Sequence, residues 1–505
     1  MDERKSIDDA PGVFTPIRFP SGCVATNRLV KAPMYEHLAN FFGGSPNEFH
    51  LALYSIWSRY EWGMVITGNV QVSPSHLTLG RDLVVPKHLD EASIKPYKAL
   101  ANAIKGSGGR TLAILQLSHA GRQSPNIIGG RFPFAKPLAP SAIRVGTNLT
   151  LDDPIALMFH KILFQTPEEM SLADFDSVLE GFQRGARLAH MSGFEGIELH
   201  VAHGYLLAQF LSPKSNLRQD LYSLKHENGL HFLRRIVDTI RTEAPPRFVV
   251  GIKLNAADYV DTSPDDSSST IPSGETLAFQ HVLDIAKWGT VDFIDISGGD
   301  YESPGFLNSS MEAKTGRRQA LFSRFSQQIL KALDNAGYHS PHRPVIMLTG
   351  GRASVVCSEI PQIMAEFEKG QGRIDGDIPF AIEPEQSVPI YLKYWPIVSI
   401  WASICKVKLV GAGLKTAWYT LVMRKYALTE LYRQDGGITS LELTLEKPEP
   451  TIYPLWSLLQ MYVWVAGPKR HTALIVSFIN GWNLDLVVPS SALQSNAEQI
   501  SAIAN

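Results

Sequence analysis

The sequence contains few cysteines, and their spacing excludes several kinds of site. Cys23, Cys357 and Cys405 are the three cysteines among 505 residues, and no two of them form a C-x-x-C pair. Structural zinc sites and iron–sulfur clusters are built from closely spaced cysteines, so we expect no metal centre. Such sparse thiols fit a reducing compartment, and we expect a cytoplasmic protein.

Excess charge and long hydrophobic runs are also lacking. The 47 Lys and Arg residues balance 49 Asp and Glu residues, which leaves a formal net charge of −2. This balance gives no electrostatic signature for nucleic acid or anionic lipid. The weakly charged runs at residues 394–405 and 453–467 are shorter than the roughly 18 apolar residues of a membrane span. The first nine residues, MDERKSIDD, contain no apolar segment of a secretory signal. We expect a small-molecule substrate, no nucleic acid and no membrane span, and a homo-oligomer is left open.

Seven apolar, β-branched runs are present, and helix-like stretches separate them. These runs end at Met34, Asn69, His119, His200, Ala256, Gly299 and Gly351. Continuous apolar strands that alternate with helices indicate a parallel sheet covered on both faces. Seven such units predict the α/β class and a closed (β/α)8 TIM barrel better than an open sheet.

The eighth strand is the weakest part of this pattern. Residues 373–384, RIDGDIPFAIEP, carry charges where an apolar strand is expected, so we predict a degenerate eighth strand. A helix-like stretch at residues 411–434 would close the barrel. The sequence therefore predicts a barrel domain over residues 14–434 and a C-terminal extension of unknown role over residues 435–505.

Polar residues and glycines cluster directly after the apolar runs. The segment GIELHVAHGYL places His200, His203 and Tyr205 within six positions at the end of the fourth run. In a (β/α)8 barrel the carboxyl ends of the strands build the active site. We therefore expect the two imidazoles and the phenol to face a common ligand at the barrel mouth.

With these motifs in view, the sequence resembles the Old Yellow Enzyme family of FMN-dependent oxidoreductases, in its NADH:flavin oxidoreductase branch. The resemblance spans about residues 14 to 430. Its motifs are NRLVKAPM (27–34), WGMVITGNVQV (62–72), QLSHAGRQ (116–123), HVAHGYLLAQFLSPKSNLRQD (200–220), the strand containing Lys253, and LTGG (348–351). Six motifs in family order are far more specific than an isolated H-x-x-H pair.

The resemblance implies FMN as the cofactor and NADH or NADPH as the hydride donor. Pro33, Met34 and Tyr35 would lie along the flavin ring, although relatives usually have a smaller residue at position 35. Gly68 would leave room for the pyrimidine edge, because glycine permits close backbone approach. Gln116 would hydrogen-bond that edge, and Lys253 would place a cation where the reduced flavin accumulates negative charge.

The resemblance also implies catalytic roles. His200 and His203 would bind the carbonyl oxygen of an electron-poor alkene and stabilise the developing enolate. Tyr205 would deliver a proton to the α-carbon. His37 would contact the substrate.

Phosphate binding is implied for glycine pairs near two strand ends and for one arginine. Gly299, Gly350, Gly351 and Arg352 offer backbone N–H groups and a cation. The family's later G-x-G-R-P motif is altered here. Asp377 replaces a glycine and Ile378 replaces the arginine, changes that should weaken phosphate binding.

The implied function is NAD(P)H-dependent reduction of an activated C=C bond, as in an ene-reductase. The style of the fungal branch suggests the tailoring of a polyketide-type secondary metabolite. Two alternatives stay open. The first is a flavin-binding or flavin-less barrel that has lost redox activity, and the second is an FMN-dependent isomerase or dehydrogenase.

Overall fold

The computed structural model describes residues 14–60, 62–146, 154–256, 274–299, 325–339, 342–350 and 353–356. All of them belong to the larger of the two units into which the chain divides, residues 1–383 with 389–447. Within these ranges no helix combines the length and the apolar character needed to cross a membrane. The predicted C-terminal extension, Asp377 and Ile378 lie outside the described residues.

Eight strands form the ring of the ten-stranded central sheet, and the short strands Val70–Gln71 and Leu83–Val84 extend it. The ring strands are β1 (Leu29–Lys31), β2 (Met64–Ile66), β3 (Leu112–Ser118), β4 (Gly196–Val201), β5 (Val249–Asn255), β6 (Phe293–Ser297), β7 (Val345–Gly350) and β8 (Ala353–Val356). The first seven coincide with the seven apolar runs of the sequence. Residues of β3, β4 and β5 are buried throughout, as expected for strands covered on both faces.

The strands close into a ring. Parallel pairing joins β1 to β2, β2 to β3, β3 to β4, and so on to β7. Strand β8 then pairs with both β7 and β1, which completes the circle. The predicted TIM barrel is therefore confirmed, and all seven parallel strands point their carboxyl ends to the same rim.

The strand that closes the described ring comes earlier in the chain than the predicted eighth strand at residues 373–384, which lies outside the described residues. Strand β8 follows β7 after two residues, and it runs antiparallel to both of its neighbours. A link this short can join only antiparallel strands, because a parallel connection needs a crossover of about a dozen residues.

Helices cover the outside of the ring. They are α1 (Glu48–Trp57), α2 (Glu91–Lys105), α3 (Pro154–Leu163), α4 (Leu172–Met191), α5 (Leu206–Leu211), α6 (His231–Glu243), α7 (Gly274–Lys287) and a helix over residues 325–335. Asn47, Asp90 and Ser171 cap α1, α2 and α4, each with a side chain that accepts from the N3 backbone N–H. These caps satisfy donors that would otherwise have no partner at a helix start.

Two apolar layers hold the barrel together. The main cluster fills the space between strands and helices and includes Phe175, Phe182 and Phe232. A second cluster lies inside the barrel, where Phe293 and Met64 pack below a hairpin of Ile17–Arg18 and Val24–Ala25. Apolar side chains fill this part of the barrel interior, and the polar residues that the sequence singled out lie at the carboxyl-terminal rim.

Candidate active site

His200 and His203 are joined directly at the carboxyl-terminal rim. Nε2 of His200 lies 2.9 Å from Nδ1 of His203, a hydrogen bond between the two imidazoles. His200 is the penultimate residue of β4 and is buried, whereas His203 lies in the following turn and is half-buried. Nε2 of His203 contacts the Ser297 hydroxyl at 3.2 Å. The structure thus brings together the two histidines that the sequence placed three positions apart.

The backbone of His203 adopts a conformation that favours glycine. Its φ is 58°, and the φ of the following Gly204 is 76°. A non-glycine residue in this left-handed region is uncommon. The conformation turns the His203 ring back toward β4, where it meets His200. Gln123 and Asn255 support this turn, because Gln123 donates to the His203 carbonyl at 2.9 Å and Asn255 accepts from its N–H at 3.3 Å.

Tyr205 completes the group. Its ring stands edge-on to His200 with centroids 4.6 Å apart, and the residue is fully buried. The hydroxyl accepts a hydrogen bond of 3.2 Å from the side-chain amide of Asn69. Asn69 lies three positions after the end of β2. Asn69 also accepts from Nδ1 of His200, at 2.9 Å. Two imidazoles, one phenol and one amide therefore form a continuous polar group, here called the histidine–tyrosine group.

Burial keeps His200 uncharged. Desolvation holds the pKa of His200 well below its usual value, and His203 and Lys253 lower it further. At neutral pH His200 is therefore an uncharged imidazole. Each neutral imidazole has one N–H donor and one acceptor nitrogen, so it can relay a hydrogen bond from one neighbour to the next.

Gln116 lies on β3 beside a carboxyl group of β4. Its amide donates to Glu198 Oε1 at 2.6 Å, and Glu198 Oε2 has no hydrogen-bond partner among the described residues. Burial raises the pKa of Glu198 to about 8, with Asp295 raising it and Lys253 lowering it. A neutral carboxylic acid is cheaper to bury than a carboxylate, so Glu198 holds a proton at neutral pH.

Lys253 on β5 is buried and paired. Its Nζ lies 2.5 Å from Asp295 Oδ2 on β6 and 3.2 Å from Thr349 Oγ1 on β7. Thr349 in turn donates to Asp295 at 2.5 Å. An ammonium has three protons. Two of them bind Asp295 and Thr349, and the third can donate to a ligand. The cation expected from the sequence is at the rim, but a carboxylate balances its charge.

The residues after β1 form another part of the rim. Met34 is 43% exposed, an apolar side chain left uncovered beside buried polar groups. Pro33 and Tyr35 flank it and are half-buried. Burial and the charge of Asp82 raise the pKa of the Tyr35 phenol well above its usual value, so this phenol stays protonated.

Gly68 and His37 have structural reasons for their positions that the sequence did not reveal. A Cβ on Gly68 would lie 2.0 Å from Oε2 of Glu36, whose other oxygen accepts from the Gly68 N–H at 2.8 Å. Glycine is therefore required at position 68 by a buried carboxylate of the chain itself. His37 is buried, with φ 55°, and its Nε2 contacts the Leu79 carbonyl at 3.2 Å.

The predicted phosphate residues are described in part. Gly299 follows β6 with φ 116°, and its carbonyl accepts from Asn255 at 3.0 Å. Gly350 is the last residue of β7. Gly351 and Arg352 lie outside the described residues.

Sequence reasoning did not assign three residues that organise the rim. Asn69 links His200 to Tyr205, Glu198 binds Gln116, and Asp295 neutralises Lys253. Asp295 and Glu198 could have been found from the sequence, because both are acidic residues within apolar strands. Acidic residues are almost never fully buried unless they are paired. Asn69 carried no comparable signal.

These residues fit a flavin. Exposed Met34 offers an apolar surface that a flat ring would cover, and Gln116 and Lys253 lie on β3 and β5 at the same rim. Oε2 of Glu198, beside Gln116, is buried and has no hydrogen-bond partner among the described residues, so it could bind a polar group of a ligand. The fold and the site define a barrel enzyme whose histidine–tyrosine group adjoins a surface suited to a planar, hydrogen-bonding cofactor. Among the described residues no cluster of three or more potential metal ligands occurs.

Comparison with known proteins identifies the family. The model of the NADH:flavin oxidoreductase / NADH oxidase family matches residues 12–298, and the chain belongs to this family. The resemblance to Old Yellow Enzymes is thereby confirmed. Membership makes the chain an oxidoreductase of a family that uses FMN, with NADH or NADPH as the hydride donor.

Similar proteins come from fungi and bacteria. The chain is 37% identical over 355 residues to the NADH-dependent flavin oxidoreductase iliE of Neonectria sp., an alignment that covers 69% of this chain but only 43% of that relative. It is 34% identical to iliE of Hypocrea jecorina, covering 66% of this chain and 79% of the relative. It is 31% identical to the NADPH dehydrogenase of Bacillus licheniformis, covering 57% and 73%. An old yellow enzyme homologue from Zymomonas mobilis shares the fold, with a TM-score of 0.50, 20% identity, and coverage of 71% of this chain and 86% of that one.

Proposed function

We propose that this protein is an FMN-dependent ene-reductase, which uses NADH or NADPH to reduce the activated C=C bond of an enone or enal. The observation that carries the proposal is the histidine–tyrosine group. Two imidazoles in direct contact and a buried phenol lie at the catalytic rim of a barrel from a flavin oxidoreductase family. Such a group can bind a carbonyl oxygen and supply a proton to the adjacent carbon.

His200 and His203 would act on the carbonyl oxygen. The Nδ1–H of His203, when it points at this oxygen, would stabilise negative charge as the C=C bond is reduced, and His200 would hold the His203 ring in place. Because His200 is buried and neutral, it would act as a hydrogen-bond partner and not as a proton source. The hydrogen bond between the two rings fixes their relative orientation before a substrate enters, which limits reorganisation during the reaction.

Tyr205 would supply the proton to the α-carbon. Its oxygen accepts from Asn69, so its own O–H points away from that amide. A positioned acid of this kind contributes about 10²- to 10⁴-fold to a rate.

FMN, when bound, supplies the hydride that it has received from the nicotinamide. Gln116 and Lys253 would hold its polar edge, and Met34 would cover its ring. Asp295 balances the charge of Lys253, so the protein places little net positive charge beside the flavin. Lys253 would still be the nearest cation to the negative charge that a reduced flavin carries.

The fungal relatives motivate a narrower form of the proposal, in which the substrate is a polyketide-type secondary metabolite. We also propose a cytoplasmic enzyme whose barrel comprises residues 14–434 and whose extension comprises residues 435–505.

Product analysis with labelled cofactor tests the proposal. Purified protein, FMN, an enone and NADH deuterated at the transferable position should yield the saturated ketone with deuterium on the β-carbon and one NADH consumed per product. Product formation without net NADH consumption would favour an isomerase. No turnover and no flavin binding would favour a barrel without redox activity.

A further inference from the structure

The side chain of Asn69 contacts both His200 and Tyr205. Its Oδ1 lies 2.9 Å from Nδ1 of His200, and its Nδ2 donates to the Tyr205 hydroxyl at 3.2 Å. The side chain is 3% exposed. In the structure the amide oxygen faces the imidazole of His200, and the amide nitrogen faces the phenol oxygen of Tyr205.

This orientation determines where the protons of the group lie. An amide oxygen only accepts, so His200 must carry its proton on Nδ1 to donate to Asn69. Nε2 of neutral His200 is then an acceptor, and His203 must donate to it from Nδ1. Nε2 of His203 contacts the Ser297 hydroxyl at 3.2 Å.

The opposite end of the amide acts on the phenol. Nδ2 of Asn69 donates to the tyrosine oxygen, which stabilises the phenolate that forms when Tyr205 gives up its proton. A donor to the oxygen also directs the O–H bond away from Asn69. One amide thus sets both the tautomer of the histidine pair and the acidity of the phenol.

We infer that Asn69 is a positioning residue that couples the tautomer of His200 to proton donation by Tyr205. The inference rests on the proposed function, because it assigns Tyr205 the donated proton. When a carbonyl oxygen enters, it can take the place of His200 Nε2 as the acceptor for the His203 Nδ1–H. During this exchange Asn69 Oδ1 keeps its hydrogen bond to His200 Nδ1. Asn69 Nδ2 donates to the Tyr205 oxygen and stabilises its negative charge as the proton leaves.

Two substitutions separate the roles of the amide. Asn69→Asp keeps the shape but replaces the donor Nδ2 with an acceptor, so the Tyr205 proton would be drawn to the carboxylate and away from the substrate. Asn69→Leu removes both interactions. Asn126→Leu is the matched control, because Asn126 is equally buried, at 2% exposure, and its side chain binds loop residues away from the rim.

Rapid mixing of the FMN-loaded protein measures the two half-reactions. With either Asn69 variant, flavin reduction by NADH should stay within about twofold of the wild-type rate, and reoxidation by an enone should fall about 10-fold or more. The solvent deuterium isotope effect on reoxidation should increase, because proton transfer becomes more rate-limiting. The Asn126 control should change neither value.

A spectroscopic readout is independent of turnover. Spectra of ¹⁵N-histidine-labelled protein distinguish the two tautomers, and His200→Gln identifies the His200 signals. The wild-type protein should show His200 protonated on Nδ1, and Asn69→Leu should lose this preference. Unchanged reoxidation in both Asn69 variants, or His200 protonated on Nε2 in the wild type, would overturn the inference. Failure of Tyr205→Phe to slow reoxidation would overturn the proposed role of Tyr205 itself.

Discussion

At the scale of single residues, the account depends most on Tyr205. Replacing Tyr205 with Phe keeps the ring that packs edge-on against His200 and removes the hydroxyl that Asn69 contacts. We expect flavin reduction by NADH to be unchanged and reoxidation by an enone to fall by about 10²-fold or more. Stopped-flow absorbance of the two half-reactions measures this difference. Equal loss in both half-reactions would instead indicate damage to flavin binding.

The histidine pair makes a second prediction at this scale. His200 and His203 are joined at 2.9 Å, so removing either one also disorders the other. We expect His200→Asn and His203→Asn each to lower kcat/KM for an enone by about 10- to 10²-fold, and the double variant to be scarcely worse than the more severe single variant. Additive losses in a double-mutant cycle would show that the two imidazoles act independently.

The sequence predicted many residues of the candidate site but not the hydrogen bonds that connect them. The spacing of His200, His203 and Tyr205 after an apolar strand was enough to place them at the barrel rim. The contact of Asn69 with His200 joins residues 131 positions apart, and no local pattern encodes such a distance. The role of Gly68 was also hidden, because its reason is the Glu36 carboxylate on another strand end.

At the scale of secondary-structure elements, the seven parallel strands were predictable because each is a continuous apolar run. The eighth strand was expected at residues 373–384, which lie outside the described residues, so this expectation stays a prediction. Only two residues separate β7 from β8. A link this short can join only antiparallel strands.

Packing between β5 and β6 gives a prediction about stability. A Cβ on Gly251 would lie 2.0 Å from Cζ of Phe293, whose ring fills the barrel interior. Gly251→Ala should therefore lower the free energy of unfolding by about 1–3 kcal/mol or more through overpacking. Gly108→Ala is the control, because no atom lies within 4 Å of its added methyl group. Urea unfolding of both variants measures the effect, and equal midpoints would contradict the described packing.

At the scale of the whole molecule, Glu198 links the site to the pH dependence of stability. Its folded-state pKa is raised to about 8 by burial, whereas an exposed glutamate titrates near 4.5. Between these values the folded protein holds a proton that the unfolded chain releases, so stability contributed by this group is full below about pH 4.5 and is lost as the pH rises toward 8.

Glu198→Gln should remove this loss, because the introduced amide is neutral at every pH and its oxygen still accepts from Gln116. The variant should gain a few kcal/mol relative to wild type on going from pH 5 to pH 8.5. Burial lowers the pKa values of His119 and His281 to about 3 and about 4, so these groups reduce stability as the pH falls below about 6.5, and they do so equally in both proteins. Parallel pH profiles of unfolding free energy for the two proteins would contradict a protonated Glu198.

The measurement that tests the central claim most directly is the absorption spectrum of the purified full-length chain with FMN under anaerobic conditions. The account predicts a protein-bound flavin band near ~450 nm that bleaches when NADH or NADPH is added and returns when an enone is added. A protein that binds no FMN, or a bound flavin that neither nicotinamide reduces, would contradict the assignment of this barrel as an ene-reductase.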